Sequence, residues 1–372
     1  MSVRKLLEYW KRYHTVFGKL IRGKGVGKPS KGEYWCSWRP FGKKIVVFRW
    51  SIVYGQGSLI PTLIESFEWA DEMGFIPIVY WSTTENLLSD FFRQTDDNQW
   101  NYFYKQQLPE LKDNTVLVAA INELYSSKGT KRKLHSKAFD RGYYELEQQD
   151  WREIFGRYHK YYAKFFRYNR DFSKELEREW ANICQPGDRI LGVMLREDFC
   201  IDRKLLAKGD ALGVHPWVKR PEELLGDVRE AMRDFNCDKI FLGTQFNDSV
   251  LLFKNTFGDD KVFTINRKRD SFDEYEKARI TLSKTHADEE TDYLNGNKHM
   301  PLDRDNHRGY LIEMIFCAQC TCLLGQECSG TRTSLILNGG TFEEYRMIPN
   351  KVELDLIYHG GDVSVKQRKT AE

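Results

Sequence analysis

The sequence predicts an α/β protein: two Rossmann-like halves facing each other across a cleft. Three observations predict it. Short β-branched and apolar runs recur as candidate strands: "KKIVVFRWSIV", "FIPIVYWS", "RILGVML", "KIFLGT", "KVFTI" and "TCLLGQ". Segments with apolar residues at helical spacing lie between them. The turn "QPGD", Gln185 to Asp188, separates two such alternating sets. The organisation that follows is a basic segment 1–32, an N-terminal α/β half 33–184 with a helical insertion, a C-terminal Rossmann-like half 185–350 and a tail 351–372.

Taken in order, "VRKLLEYWKRYHTVFGKLIRGKGVGK" places Leu6, Leu7, Trp10, Tyr13, Phe17, Leu20 and Ile21 near helical spacing, with Lys and Arg between them. Such a basic amphipathic helix suits an anionic membrane surface. It suits packing on its own protein equally well, and both readings stand. "GKGVGKPS" imitates a phosphate loop, but Arg22 and Pro29 break the pattern, so it reads as a linker. From Lys43 a strand, the helix "SLIPTLIESFEWADEMG" with Gly74 as its C-cap, and a second strand form a parallel unit. The intervening "GQGS" nearly matches a dinucleotide fingerprint. Ile60 stands at the third glycine, and no acidic residue closes the next strand, so NAD is not expected. The glycines shape a tight turn.

Residues 83–182 are polar, aromatic and mostly helical in pattern. In the second half "RPEELLGDVREAMRDFN" is a helix with Pro221 in its first turn, and "NDSVLLFKNTFG" is a shorter one. Residues 266–306 are charged and poor in apolar residues, which predicts a surface loop or a mobile insertion. "DNHRGYLIEMIFCAQC" is helical, and "SGTRTSLILNGG" opens the last major helix.

Composition excludes several classes. The 372 residues are enough for two domains, and the net charge of +3 lacks the clearly basic domain of a nucleic-acid binder. No run of ~18 apolar residues exists, so no membrane span is expected. The N-terminus has no apolar core of a signal peptide, so a cytosolic chain with reduced thiols is expected. Among the eight cysteines, Cys317, Cys320, Cys322 and Cys328 cluster in an apolar stretch. They lack the second separated pair of a usual zinc site, so they read as buried thiols.

Ligands of open α/β sheets sit beyond the carboxyl ends of the strands. Three segments converge there: Arg196 and Asp198 after "GVML", Thr244 and Asp248 in "GTQFND", and "GQECSGTRTSLILNGG" from Gly325 to Gly340. The last begins a helix near Thr331, whose amides and dipole favour an anion. Ser329 and Thr331 add hydroxyls, Gly330 an open backbone, and Arg196 and Arg332 positive charge. The set suits a diphosphate. For Ser329 and Thr331 alone, an ordinary N-cap explains the residues as well.

The stretches "ILGVMLREDF", "GVHPWVKRPEELL", "KIFLGTQFNDSVLLFKNTFG" and "DNHRGYLIEMIFCAQCTCLLGQECSGTRTSLILNGG" resemble the donor domain of the fucosyltransferase-like glycosyltransferases, enzymes of the GT-B fold. That family's strand ends His-x-Arg-(Arg or Gly)-Thr-Asp and is followed by His-Pro. Here Met194 replaces the His, Arg196 keeps the Arg, Glu197 replaces the next residue, and Asp198 matches the Asp after one deletion. His215 and Pro216 match the later pair. "YGQGSLIPTLIESFEWADEMGFIPIVYW" and "DNQWNYFYKQ" are similar to the opening segments of the bacterial relatives.

The resemblance implies an inverting, metal-independent transfer from a nucleotide sugar, GDP-fucose among the donors, to a saccharide or lipid-linked saccharide acceptor. It implies that Arg196 stabilises charge growing on the leaving diphosphate, with Ser329, Gly330, Thr331 and Arg332 supplying further contacts. Thr244, Asp248 and His215 complete the expected donor site. The base is one of Asp198, Asp210 and Glu197, and each is equally readable as a solvated or ion-paired carboxylate. "DRD", Asp303 to Asp305, is similar to the metal-binding triplet of the other glycosyltransferase fold, but its polar-loop context predicts solvated charge. No cofactor is expected. Two further readings stay open: a nucleotide-sugar-binding or assembly protein without the reaction, and a non-NAD sugar-nucleotide epimerase.

Overall fold

The computed structural model describes residues 35–37, 43–51, 56–82, 98, 100–105, 115–120, 148–197, 219–277, 304–326 and 328–348. The basic segment 1–32 and the tail 351–372 lie outside them. The elements run β1 (Trp35–Ser37), β2 (Lys44–Ser51), α1 (Gln56–Met73), β3 (Ile76–Ser82), α2 (Trp100–Phe103), β4 (Thr115–Ala120), α3 (Gln148–Phe165), α4 (Arg170–Ala181) and β5 (Ile190–Met194). They continue α5 (Pro221–Asp234), β6 (Lys239–Gly243), α6 (Asn247–Phe257), β7 (Val262–Phe263), α7 (Arg304–Gln319), β8 (Cys322–Gln326), α8 (Ser329–Asn338) and β9 (Glu344–Ile348). The protein is α/β, as its alternating pattern predicts.

The described residues fall into two compact units. The first takes its described residues from within 1–52, 62–142 and 163–172, and the second from within 53–61, 143–162 and 173–372. This division cuts across the boundary drawn at the "QPGD" turn. The turn is there, closed by Asp188 N–H to Gln185 O at 3.0 Å and Gln185 N–H to Asp188 Oδ2 at 2.6 Å. Yet most of α3 and α4 belongs with the second unit, because Trp180 packs on Phe316 at 5.1 Å and His159 Nδ1 lies 3.0 Å from Ile336 O.

The first unit carries a four-stranded sheet ordered β1-β4-β2-β3. Strand β2 is parallel to both neighbours, and β1 is antiparallel to β4. The run Ile45–Phe48 is buried, as a central strand covered on both faces must be. Helix α1 turns Leu63, Ile64, Phe67 and Ala70 inward and ends at Gly74, whose φ of +71° suits glycine. Its last carbonyls accept from Gly74 N (3.1 Å) and Phe75 N (2.8 Å). The "NQWNYFY" segment is core here. Trp100 stacks on Tyr104 at 4.2 Å and meets Phe67 edge-on at 6.4 Å. Asn98 pins it, accepting from Trp81 N and Trp100 N and donating to Val79 O.

The second unit carries a five-stranded parallel sheet ordered β7-β6-β5-β8-β9. In chain order this is 3-2-1-4-5, the doubly wound arrangement, and its order reverses between β5 and β8. One face packs Leu191, Val193, Ile240 and Leu242 against Leu224, Val228, Ala231 and Phe253 of α5 and α6. On the other, Phe241 meets Phe316 of α7 at 5.7 Å. Helix α5 begins at Pro221, with Arg220 N–H donating to Glu223 Oε2 at 2.8 Å. Cys317, Cys320, Cys322 and Cys328 are buried, as small apolar side chains would be. Burial pushes the thiols of Cys317 and Cys320 well above their ordinary range.

One expectation is corrected. The charged stretch from residue 266 is not simply a surface loop. The side chains of Arg267 and Arg269 are 6% and 7% exposed. They are buried because Glu313 of α7 compensates both. Arg267 donates to Glu313 Oε2 at 2.9 Å, and Arg269 donates to Oε1 at 3.1 Å.

Candidate functional site

The site is built at the carboxyl ends of β5 and β8, where the strand order reverses. This is the position at which a parallel sheet leaves a crevice. After β5 the chain extends one residue further along the ladder, with Leu195 N–H donating to Gly243 O at 2.9 Å. Arg196 then leaves the sheet. Its backbone N–H donates to Gln326 Oε1 at 2.8 Å, and Gln326 Nε2 donates to Lys219 O at 2.5 Å. The buried amide of Gln326 therefore ties the ends of β5 and β8 to the segment entering α5. The Arg196 guanidinium lies over the ring of Tyr310 of α7, 5.8 Å from its centroid.

Helix α8 opens directly beyond β8. Its N-cap is Cys328, in extended backbone and without a side-chain cap hydrogen bond. The first intrahelical bond is Arg332 N–H to Cys328 O at 3.1 Å, so the amides of Ser329, Gly330 and Thr331 point out of the helix start. That is the arrangement that attracts an anion.

The first turn of α1 meets the first turn of α8 at two glycines. A Cβ at Gly57 would stand 3.2 Å from Gly330 N and 3.2 Å from the Tyr310 hydroxyl oxygen, and a Cβ at Gly330 would collide with that same oxygen. Pro61 lies inside α1 and has no N–H to offer the carbonyl four residues earlier. That carbonyl, Gly57 O, accepts instead from Thr333 Oγ1 at 2.9 Å.

Arg196, Ser329, Gly330 and Arg332 lie at one strand-end region, with Ser329 and Arg332 half-buried in the first turn of α8. Four other candidate residues make contacts within the protein. Thr331 is 0% exposed and its hydroxyl donates to Gln326 O at 2.6 Å, because its position in the first turn sets it over β8. Thr244 is buried, donating to Glu197 Oε1 and accepting from Phe246 N–H. Its carbonyl accepts from Arg267 at 2.9 Å and Arg269 at 3.2 Å. Glu197 is 1% exposed in this network. Asp248 accepts from Phe272 N–H at 2.7 Å and so caps the segment after β7.

Asp198, Asp210 and His215 lie outside the described residues, as does Asp303 of the "DRD" triplet. Met194 is core, its Sδ 3.1 Å from where a Cβ on Gly243 would stand. Sequence reasoning missed Gln326, Tyr310 and Thr333. Gln326, as the polar end of "TCLLGQ", was the one with a visible signal. Among the described residues no group of His, Cys, Asp and Glu is arranged to hold a metal ion.

No family model and no curated protein matches the sequence. Among solved structures the chain is similar to NodZ alpha-1,6-fucosyltransferase soaked with GDP-fucose, at 14% identity and a TM-score of 0.40, over 79% of this chain and 93% of that one. The structure of NodZ from Bradyrhizobium matches at 15% identity and 0.40, over 78% and 93%. Arabidopsis thaliana FUT1 in complex with GDP matches at 10% identity and 0.39, over 91% and 77%. POFUT1 in complex with GDP matches at 7% identity and 0.39, over 82% and 99%. The chain is similar to fucosyltransferases. What the site here can do is a matter for its own residues: a guanidinium and an amide-lined helix start at one switch point. No described helix is long and apolar enough to cross a membrane.

Proposed function

We propose that the chain is a glycosyltransferase that moves a sugar from a nucleotide-sugar donor to a saccharide acceptor. The observation that carries this is the placement of Arg196 and the start of α8 at the carboxyl ends of β5 and β8, where the strand order reverses. Bond cleavage puts charge on the β-phosphate of the leaving nucleoside diphosphate. Donors already aimed at that oxygen lower the barrier by several kcal/mol. Arg196 and the amides of Ser329 and Gly330 supply that charge stabilisation without a metal ion, and the transfer is inverting. Asp198 and Asp210 are the candidate bases. Fucose from GDP-fucose is the proposed donor, in keeping with the sequence resemblance. The acceptor is a saccharide of surface polysaccharide or glycan synthesis, lipid-linked at a membrane face that residues 1–32 contact.

A thermal-shift panel of GDP, UDP, CDP and ADP tests the reading, because a bound ligand raises stability as RT ln(1 + [L]/Kd). One diphosphate should stabilise the chain, and its labelled sugar derivative should yield a glycosylated acceptor with EDTA present. No shift with any diphosphate overturns the proposal. A second reading, a nucleotide-sugar-binding protein without turnover, is favoured by one observation. Met194 and Glu197, which replace two motif residues, are both buried in the fold. Binding without product would select it.

A further inference from the structure

Tyr310 lies in the stretch "DNHRGYLIEM", to which the sequence assigns no site role, yet its ring and its hydroxyl both border the candidate site. Its ring carries the Arg196 guanidinium 5.8 Å from the centroid, inside the range in which a cation is held over an aromatic face. Its hydroxyl oxygen stands at the meeting of the α1 and α8 starts, where the space for a Cβ on Gly57 or on Gly330 is taken by that oxygen. The ring is therefore anchored at its far end by the two helix starts and presents its face to Arg196. Arginine has several rotatable bonds, and Arg196 has left the strand pairing of β5, so a contact with its guanidinium bears on where its fork lies. Gln326 holds the backbone of Arg196, and the ring of Tyr310 lies under its charged end.

We infer that Tyr310 is the positioning residue of the phosphate site: its ring orients Arg196 toward the α8 amides, and its hydroxyl sets the ring in place against Gly57 and Gly330. The inference rests on the reading of this site as one that binds a diphosphate. It assigns Tyr310 no contact with the reacting atoms, so its effect passes through Arg196.

The experiment is a double-mutant cycle read by calorimetric titration with GDP and, in parallel, guanosine; UDP and uridine serve if the thermal panel selects uracil. Tyr310→Leu removes the ring and should weaken GDP binding about tenfold, within the range of one lost cation–π contact between half-buried groups. Guanosine, which has no phosphate, should bind as before. Tyr310→Phe keeps the face and loses only the anchor, and should fall between the two, within about threefold of the native chain. On an Arg196→Ala background both effects should vanish, because the group they position is gone. Equal GDP affinity in Tyr310→Leu and the native chain overturns the inference. So does a loss that guanosine shares or that persists without Arg196. Should Tyr310→Leu not fold, a tenfold loss in Tyr310→Phe assigns the work to the hydroxyl and overturns it too, whereas a loss within threefold that disappears with Arg196→Ala supports it. If the native chain binds neither diphosphate, it is the parent reading that fails. If Arg196→Ala loses GDP but Tyr310→Leu does not, only the role of Tyr310 fails.

Discussion

Thr333 donates its hydroxyl to the carbonyl of Gly57, 2.9 Å away and 276 positions earlier in the chain. The bond answers a vacancy that Pro61 creates inside α1, and it fixes the approach of two glycine-bearing helix starts. Thr333→Val keeps the shape and leaves the Gly57 carbonyl buried without its donor. The expected cost is about 1–3 kcal/mol, as for an unsatisfied buried acceptor. A lower urea midpoint at unchanged slope is the signature. Thr333→Ser, which keeps the hydroxyl, should lose less.

Gln326 braces Arg196 N–H and Lys219 O with one side-chain amide. Gln326→Leu is expected to lower kcat/KM through a released Arg196 backbone and to cost about 1–3 kcal/mol of stability. Kinetics and denaturation on the same preparation check both. Native kinetics in a destabilised variant would mean that the brace serves the fold alone.

If Arg196 stabilises the leaving diphosphate, Arg196→Ala should reduce kcat on the order of 10²–10³-fold, as for one lost charge-stabilising donor. Arg196→Lys should recover little, because an ammonium lacks the planar fork. Turnover measured at saturating donor separates this from weaker binding.

Glu313 holds two buried arginines. Glu313→Gln removes the charge and leaves Arg267 and Arg269 uncompensated, at an expected cost of about 3–5 kcal/mol. The change should also loosen Thr244, whose carbonyl both arginines share. Chemical denaturation reads the first effect, and hydrogen exchange at the β6 end reads the second.

Asp188 is held below the usual carboxylate range by its hydrogen bond from Lys239 Nζ and by the Gln185 N–H. A depressed folded value means that the carboxylate stabilises the fold above its ordinary pKa, about 4. That stability is lost as pH falls through the folded value. Asp188→Asn should therefore be less stable than the native chain at pH 7 and should converge with it in acid. Parallel curves across pH would contradict the assignment.

Much of the fold was legible because its signals are local. "IVVF" is continuous hydrophobicity and became a central parallel strand. Gly74 and Pro221 mark a helix end and a helix start by backbone chemistry that acts within one turn. The buried thiols followed from the apolar run around them. The charged stretch after residue 265 was misread because composition cannot tell a solvated arginine from one paired with a glutamate on another helix.

At the site the same limit applies. The sequence by itself determined that strands alternate with helices, and that Arg196 and the Ser329–Thr331 turn lie at strand ends, since both follow from periodicity and chain order. Tertiary structure decided which hydroxyls turn inward: Thr331 to Gln326 and Thr244 to Glu197. It also decided that Tyr310 lies under Arg196. Partner choice depends on sheet register and on the packing of elements distant in the chain, and no local pattern of residues encodes either.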